Sequence, residues 1–415
     1  MKFDTIIIGG GLSGLVCGIK LQENGQNTAI VSTGQSALHF SSGAFDLLNK
    51  LDDGTEVDIP ANFISLLPSS HPYSKIGYDK FVKYCREVPS LFKNASINLK
   101  GDPETNGYRI TPLGQVKKTW LVFEDFNTMN TAVINYENVA LCNFNGFLDF
   151  YPQFIGDVLA GEKCKYKRVT LDLPFIEKLR HNPTEMRATN IAKVFDSEEN
   201  IEALLKEINS RCEFASTIML PAVFGLYSLA PVEYLKEKCG KKICLLATMP
   251  PSVPGIRTQQ MLRKYYSYCG GAYMMGDTVE KADMDSDSVK SVYTANHDGI
   301  PLSADNYVLA TGSFFSNGII AEPEGIFEPV FDLDTDNDPD RSNWYDNDFF
   351  SRQPYMKYGV KTDHDFKPFR KGRILENMYA AGSVLSGFDA VSEGCGGGVS
   401  IFTALCVANK ILGGE

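Results

Sequence analysis

Residues 3–33 read FDTIIIGGGLSGLVCGIKLQENGQNTAIVST, and this stretch decides the fold. An apolar run, Ile6–Ile8, leads into three glycines with the spacing Gly9-x-Gly11-x-x-Gly14. The pattern predicts a strand, a tight turn, a helix and a second strand, the opening of a dinucleotide-type βαβ unit. In such a unit Gly9 permits the turn, Gly11 lets the backbone approach a phosphate, and Gly14 lets helix and strand pack closely.

The start of the predicted helix supplies groups that bind an anion. The N–H groups of Leu12 and Ser13 have no carbonyl partner within the helix, and the positive end of the helix dipole lies beside them. The second strand, however, ends at Ser32-Thr33, without the acidic residue that holds the ribose of a dinucleotide. The cofactor therefore uses a glycine loop but does without that carboxylate, and Ser32 is a candidate contact.

Two later segments point to a flavin. Residues 308–315 (VLATGSFF) and 378–388 (MYAAGSVLSGF) resemble the strand ends that contact the cofactor in two-dinucleotide-fold flavoproteins. In those proteins an acidic residue commonly follows the glycine of the last strand, whereas Ser383 offers a hydrogen bond and no charge. The candidate contacts in these segments are Thr311, Gly312, Gly382 and Ser383.

A glycine-rich turn near the C-terminus, Gly394-Cys395-Gly396-Gly397-Gly398, precedes an apolar helix. Such a turn would aim N–H groups and a helix dipole at the pyrimidine edge of a flavin, where they favour negative charge. Cys395 has no partner cysteine nearby in the sequence, so we interpret it as a small residue in a tight loop. The predicted cofactor contacts here are Gly396, Gly397 and Gly398.

The segment SALHFSSGAFDLL, residues 36–48, follows the second strand directly. In flavoproteins this position runs beneath the isoalloxazine ring, so the candidate ring contacts are His39, Ser41, Ser42 and Gly43. For His39 the alternative is a hydrogen-bonded histidine under a loop. Arg257 is a second candidate for a catalytic role, as a cation near the cofactor; its alternative is a surface arginine at a helix start.

Composition limits the function further. The 415 residues carry a net charge of -11, which argues against binding to nucleic acid or to an anionic membrane surface. The 10 cysteines include no Cys-x-x-Cys, so the chain has no recognisable iron–sulfur ligand set, and buried thiols in a reducing compartment are expected. Without a signal peptide or an apolar run of about 18 residues, we expect a cytoplasmic protein with no direct membrane span.

The acidic segment 332–348 partly resembles a calcium loop. Asp332, Asp334 and Asp336 have suitable initial spacing, but Asn337 replaces the turn glycine and Asn343 replaces the bidentate glutamate. A solvated surface loop fits better, and no metal site is predicted.

The fold class expected from these patterns is α/β, a Rossmann-like FAD/NAD(P)-binding flavoprotein fold with an inserted α+β lobe. The flavin-binding domain is expected to be discontinuous, formed by residues 1–50 and 241–415. Residues 51–240 form the inserted lobe. The two ends of the chain are then required to meet at one pocket.

The whole chain is similar to the B-subunit family of bacterial anaerobic glycerol-3-phosphate dehydrogenase. The matching stretches span nearly the full length and include GQSALHFSSGAFDLL, RITPLGQVKKTWL, NPTEMRATNIAKVFD and GSVLSGFDAVSEGCGGGV, whereas the acidic insert 332–348 is the least family-like part. The resemblance implies a flavin-carrying chain, to which the family assigns FMN, beside a catalytic A chain that bears FAD. An iron–sulfur C chain then connects the pair to the membrane quinone pool, so the protein would be peripheral to the inner membrane through its partners.

The missing carboxylate after the second strand favours FMN over FAD, because FMN has a phosphate for the glycine loop but no second ribose. FAD is the alternative, since a backbone group or water can hold an adenosine ribose. A second hypothesis is a self-contained flavin dehydrogenase of another small substrate, with Arg187 holding an anion and His297 or His39 as base. A third is a flavoprotein fold retained only for assembly of a complex.

Overall fold

The computed structural model describes residues 1–162, 164–297 and 299–414. Its strands in chain order are β1 Lys2–Ile8, β2 Thr28–Ser32, β3 Ala44–Phe45, β4 Leu99–Lys100, β5 Gly107–Ile110, β6 Val116–Thr119, β7 Leu121–Phe123, β8 Val139–Phe144, β9 Tyr166–Leu171, β10 Thr217–Pro221, β11 Lys242–Leu246, β12 Ala272–Met275, β13 Val279–Asp285, β14 Ser288–Thr294, β15 Ser303–Leu309, β16 Ile320–Glu322, β17 Gly325–Phe327, β18 Thr335–Asp336, β19 Gly359–Val360, β20 Phe369–Arg370, β21 Arg373–Ile374 and β22 Met378–Ala380. Its α-helices are α1 Leu12–Glu23, α2 Pro72–Ile76, α3 Tyr78–Asn94, α4 Pro152–Gly161, α5 Pro174–Arg180, α6 Ala188–Val194, α7 Glu198–Arg211, α8 Ala230–Cys239, α9 Val253–Tyr268 and α10 Gly396–Ile411.

The central sheet has five parallel strands in the order β12-β2-β1-β15-β22. A parallel sheet covered on both faces requires apolar strands. The isoleucines of β1, residues 6–8, are accordingly buried, and they pair in register with residues 307–309 of β15. Because β1 and β2 come from the start of the chain and the other strands from beyond residue 271, the two ends of the chain build one sheet. The predicted Rossmann-like α/β class is confirmed.

A second parallel sheet, in the order β11-β10-β8-β9, takes three of its four strands from residues 51–240, the predicted inserted lobe. Strand β10 is buried along its whole length, as the apolar sequence around residue 218 predicts. Strand β11 pairs with β10, so residues 242–246 belong to this sheet although they follow the predicted boundary at 240. The division into 1–50 plus 241–415 and 51–240 stays a prediction.

Residues 279–315 alternate apolar and polar residues, a pattern that predicts a β-meander closing on a buried strand at 306–310. The structure differs in how that last strand pairs. Strands β13 and β14 form an antiparallel hairpin, but β15 leaves it to lie parallel to β1. The reason is burial: Tyr307, Val308 and Leu309 are fully buried and suit a central position in a covered sheet.

The acidic segment 332–348 forms turns in which carboxylates satisfy backbone N–H groups. The Asp334 carboxylate accepts hydrogen bonds from the N–H groups of Lys371 (2.8 Å) and Gly372 (2.7 Å). Asp340 caps a short 3₁₀ turn by accepting from the Ser342 N–H at 2.9 Å. These acidic residues therefore have local structural roles.

Helix α1 packs against both α10 and α9, so the first helix lies between elements from the second half of the chain. Helix α1 begins just after the carboxyl end of β1, and Thr403 of α10 bonds to Gly382 at the end of β22, so both helices reach the carboxyl-terminal edge of the central sheet, where ligands bind in open α/β folds. In the described ranges, no helix combines the length and apolar character needed to cross a bilayer.

Candidate functional site

The three glycines of the first turn are needed for different reasons. A Cβ atom on Gly9 would lie 2.2 Å from the carbonyl oxygen of Ala310, and one on Gly14 would lie 1.9 Å from that of Gly9. Gly11 has an ordinary φ of -83°, and a Cβ atom there would meet only Ser36 Cβ, at 3.7 Å. Packing thus requires Gly9 and Gly14, whereas the space beside Gly11 is open, as expected where a ligand approaches the backbone.

The N-terminus of α1 fits a phosphate. Its N-cap residue is Gly11, no side chain caps it, and its first turn contains no acidic residue. The N–H groups of Leu12 and Ser13 are therefore free of intrahelical partners, and the helix dipole adds positive potential at the same place. These are the predicted phosphate-binding groups.

The ends of β15 and β22 lie beside this turn. A Cβ atom on Gly382 would be 2.1 Å from Ser13 Oγ, and one on Gly312 would be 3.7 Å from Ser383 Oγ. The Gly382 N–H donates to Thr403 Oγ1 of α10 at 2.9 Å. The structure thus brings the predicted contacts of the first turn and of both later strands to one edge.

The start of α10 meets the segment that follows β2. The N–H of Gly398 donates to the Asp46 carbonyl at 2.9 Å, and a Cβ atom on Gly397 would lie 3.2 Å from the Asp46 nitrogen. No described side chain caps α10, and its first turn contains no acidic residue. The Gly396–Gly398 turn and the 36–48 segment therefore lie together, as a flavin site requires.

Two buried polar atoms at this edge have no hydrogen-bond partner among the described residues: Thr311 Oγ1 at the end of β15 and Gln259 Oε1 on α9. The other end of the Gln259 amide donates to the carbonyls of Gly10 (3.1 Å) and Gly34 (3.0 Å). Buried polar atoms normally have partners, so these two fit groups of a bound cofactor. Sequence reasoning missed Gln259 because its contacts depend on packing between α9 and the glycine loop.

The segment after β2 holds the predicted ring contacts in a short 3₁₀ turn, Ala37–Phe40, and the residues that follow it. Ser41 Oγ accepts from the Gly43 N–H at 3.2 Å, and a Cβ atom on Gly43 would lie 2.7 Å from the Phe126 ring. Ser42 between them is half-buried. Burial lowers the pKa of His39, and the neighbouring Gln259 side chain opposes that effect.

Arg257 is held by the protein itself. Its Nη1 donates to the carbonyls of Phe224 (3.0 Å) and Gly225 (2.6 Å), and its Nη2 lies 3.8 Å from Asp125 Oδ2. It is buried, which lowers the pKa of its guanidinium, with Asp125 opposing that effect. It lines a cavity of about 280 Å³ between β7, α8 and α9. These contacts give Arg257 a role in joining α9 to the inserted lobe, which neither interpretation of its sequence position anticipates.

The residues of the self-contained dehydrogenase hypothesis each have their own partner. Arg187 Nε lies 2.9 Å from Asp149 Oδ1, and His297 Nδ1 lies 2.8 Å from Asp277 Oδ2. Among the described residues, no hydrogen bond or ion pair joins Arg187 to His297 or to His39. The structure does not assemble this proposed pair.

A charged cluster beside α10 was also missed. Arg109 and Lys117 are opposite each other in the β5–β6 hairpin. Lys117 Nζ lies 3.1 Å and Arg109 Nη2 lies 3.9 Å from Asp46 Oδ2. Only the long-range approach of the hairpin to the 36–48 segment creates this cluster, so the local sequence contains no signal for it.

A buried network supports the start of α10. His71 Nε2 lies 3.0 Å from Glu393 Oε2, Cys395 Sγ donates to the same oxygen at 3.4 Å, and His71 Nδ1 accepts from the Tyr73 N–H at 3.0 Å. Burial, followed by the negative charge of Glu393, raises the pKa of the Cys395 thiol well above its usual range. The side chains of His71, Glu393 and Cys395 could be metal ligands by type and spacing, but each is already hydrogen-bonded. Cys395 is a buried free thiol, and its raised pKa disfavours the thiolate form.

Comparison with known proteins gives matches over nearly the whole chain. The model of the FAD binding domain family matches residues 4–399. The chain is 42% identical over 417 residues to the B subunit of anaerobic glycerol-3-phosphate dehydrogenase from Yersinia pestis bv. Antiqua (strain Antiqua), covering 99% of this chain and 98% of that protein. It is 41% identical over 416 residues to the protein of the same name from Pectobacterium atrosepticum, covering 99% of each. Glycine oxidase from Bacillus cereus aligns with 100% of this chain and 98% of its own, at 12% identity and a TM-score of 0.38.

Proposed function

The chain belongs to the FAD-binding-domain family and, within it, to the anaerobic glycerol-3-phosphate dehydrogenase B subunits, and from this premise we propose its place in a complex. It is a flavin-dependent oxidoreductase. We propose that it is the flavin-carrying chain of an assembly that oxidises sn-glycerol 3-phosphate to dihydroxyacetone phosphate. Substrate oxidation would take place on the FAD-bearing catalytic A chain, and electrons would then pass through the iron–sulfur C chain to the quinone pool.

The observation that carries this proposal is a pair of glycine turns: the one before α1 lies beside the end of β22, and the one at the start of α10 packs against the segment after β2. The start of α1 offers N–H groups for a phosphate. At the start of α10 the Gly398 N–H is bonded to Asp46, whereas the N–H groups of Gly396 and Gly397 have no partner among the described residues and would serve the pyrimidine edge of the ring. A bound flavin supplies the redox chemistry. N–H donors and a helix dipole near the pyrimidine edge raise the flavin potential, so this chain's part is to hold the cofactor and tune that potential.

The arrangement of the cysteines supports placing the iron–sulfur centres on another chain. The 10 cysteines occur singly in the sequence, and all are free thiols in the structure. Iron–sulfur clusters need several cysteine ligands together. The centres that accept electrons would then lie on another chain of the complex, which would also provide attachment to the membrane.

We propose FMN as the cofactor. Gln259 spans the carbonyls of Gly10 and Gly34, and a Cβ atom on Gly10 would lie 2.2 Å from the Tyr273 hydroxyl. The chain's own side chains thus take up space beside the end of β2, where dinucleotide folds hold the second ribose. FAD is the alternative. It is favoured by the matching family model and by Gln259 Oε1, a buried acceptor for a ribose hydroxyl.

Acid extraction of the purified protein shows whether the bound cofactor is FMN or FAD. We expect one FMN per chain in the supernatant, measured by chromatography and absorbance. An FAD standard carried through the same acid treatment controls for hydrolysis of FAD to FMN. Recovery of one FAD per chain would refute the FMN assignment and leave the flavin role intact.

Because the proposal places substrate oxidation on the A chain, glycerol 3-phosphate should not bleach the flavin of the isolated chain under anaerobic conditions. Addition of the FAD-bearing partner should restore bleaching, because that partner oxidises the substrate. Stopped-flow absorbance in the flavin band measures both reactions, and dithionite confirms that the flavin is reducible. Rapid bleaching by glycerol 3-phosphate without a partner would instead establish a self-contained dehydrogenase.

A further inference from the structure

We propose that Arg109, Lys117 and Thr119 form, with Asp46, a binding site for a small hydroxyalkyl phosphate beside the flavin pocket. This chain would then bind the phosphorylated substrate or product itself. The choice of a phosphorylated ligand rests on the proposed function. The location of the site rests on the contacts and burial of the side chains.

The strongest observation is a buried arginine with unused donors. Arg109 is only 7% exposed, yet its Nε and Nη1 have no hydrogen-bond partner among the described residues. Leaving donors of a buried charged group without partners is costly, on the order of 1–3 kcal/mol or more for each group. The Nε and Nη1 groups of a guanidinium are charge-assisted donors, which suit the negatively charged oxygens of a phosphate.

Two neighbours on the hairpin add to the site. Side chains at alternate positions of a strand share one face, so Lys117 and Thr119 of β6 lie on the same side, and Lys117 is opposite Arg109. Thr119 Oγ1 is buried and, within the described part of the chain, also has no partner. The Lys117 side chain is 40% exposed, which places a cation at the mouth of the cluster and gives a ligand a way in.

The charge balance favours an anion. Asp46 is the carboxylate facing the two cations, and Lys118, the next basic residue, is neutralised by Asp58 at 2.6 Å and Glu56 at 3.3 Å. Arg109, Lys117 and Asp46 together leave one net positive charge. The start of α10 adds its dipole, because Gly398 N–H donates to the Asp46 carbonyl.

Asp46 also explains why the ligand should carry a hydroxyl. Its Oδ2 faces the cations, whereas its buried Oδ1 has no partner among the described residues. A carboxylate oxygen can only accept, so the matching group on a ligand is an O–H or N–H donor. Unused donors and an unused acceptor in one cluster suit a molecule with both a phosphate and a hydroxyl group, such as glycerol 3-phosphate.

Calorimetric titration of the flavin-loaded chain tests the site, with glycerol 3-phosphate, inorganic phosphate and glycerol as probes. We expect one glycerol 3-phosphate per chain, weaker binding of phosphate and none of glycerol. Arg109→Gln should weaken glycerol 3-phosphate binding about 10- to 100-fold, the loss expected for charge-assisted hydrogen bonds. Arg109→Lys should recover part of it, and Thr119→Val, nearly the same in shape, should weaken it about 3- to 10-fold.

Arg373→Gln is the matched control, since this arginine side chain is 75% exposed and its nearest carboxylate, on Asp287, is 3.9 Å away. Its affinity should equal that of the unaltered protein. Circular dichroism and flavin content are measured on every variant, so that a misfolded variant is recognised. If Arg109→Gln is misfolded, the affinity of Thr119→Val for glycerol 3-phosphate tests the site instead. Absence of glycerol 3-phosphate binding to the unaltered flavin-loaded chain would overturn the inference but leave the flavin role standing. An Arg109→Gln variant that loses flavin but binds glycerol 3-phosphate as tightly as the unaltered protein would also overturn the inference, because the cluster would then hold the edge of the flavin.

Discussion

Gly11→Val is expected to abolish flavin binding while leaving the fold in place. A Cβ atom at this position meets only Ser36 Cβ, at 3.7 Å, and the φ of -83° is accessible to valine. The added methyl groups would occupy the open space from which a phosphate reaches the N–H groups of Leu12 and Ser13. We expect less than about one tenth of the flavin content of the unaltered protein, a loss of at least roughly 1.4 kcal/mol in cofactor binding.

The measurement is the ratio of flavin absorbance to protein, with the melting temperature of the flavin-free form as the control for folding. Flavin-free Gly11→Val should unfold close to the flavin-free unaltered protein, since exchanging glycine for a larger residue at an N-cap costs only about 1 kcal/mol. A yellow variant with full occupancy would show that the first turn is not where the phosphate binds.

Gly14→Ala is expected to damage the fold itself. The new Cβ atom would lie 1.9 Å from the Gly9 carbonyl oxygen and 3.3 Å from Ile7 Cγ2. Because the closer atom belongs to the backbone of the same tight turn, no change of side-chain rotamer relieves the overlap, and α1 has to move away from β1. We expect a loss of roughly 3 kcal/mol or more in the free energy of unfolding, or an insoluble protein.

Gly161→Ala is the matched control for this prediction. It makes the same chemical change at a glycine of α4 where an added Cβ atom meets no described residue within 4 Å. Alanine there should be neutral or stabilising by up to about 1 kcal/mol. Denaturant unfolding of the three proteins in their flavin-free forms gives the comparison. Equal stability of Gly14→Ala and the unaltered protein would contradict the packing described for the turn.

The parts of the fold that depend on short-range pattern could be predicted from sequence. The Ile6–Ile8 run, the glycine spacing and the helix stop at Asn24 fix β1, the turn and α1 within one local stretch. The start of α10 and the end of β22 could be predicted for the same reason, because glycines at positions such as Gly382, with a φ of +80°, mark backbone that other residues rarely adopt.

What could not be predicted depends on contacts between distant segments. Arg257 follows a proline and a glycine and so resembles an anion-binding residue, but its partners are carbonyls more than 30 residues earlier in the chain. Arg109 and Asp46 are 63 positions apart and meet only because the hairpin folds onto the segment after β2 (109 − 46 = 63). Gln259 likewise reaches Gly10 across 249 positions. Sequence therefore indicated a flavin cofactor and the glycine turn before α1, but not the contacts that Arg257, Arg109 and Gln259 make with distant residues.

A crystal structure of the flavin-loaded protein tests the central claim most directly, since that claim is that the two ends of the chain enclose one cofactor. We predict a flavin phosphate within hydrogen-bonding distance of the Leu12 and Ser13 N–H groups. Its ring should lie against residues 41–46 with the pyrimidine edge at the start of α10. A flavin found in the 280 Å³ cavity beside Arg257, or with its phosphate remote from Gly11, would contradict the account.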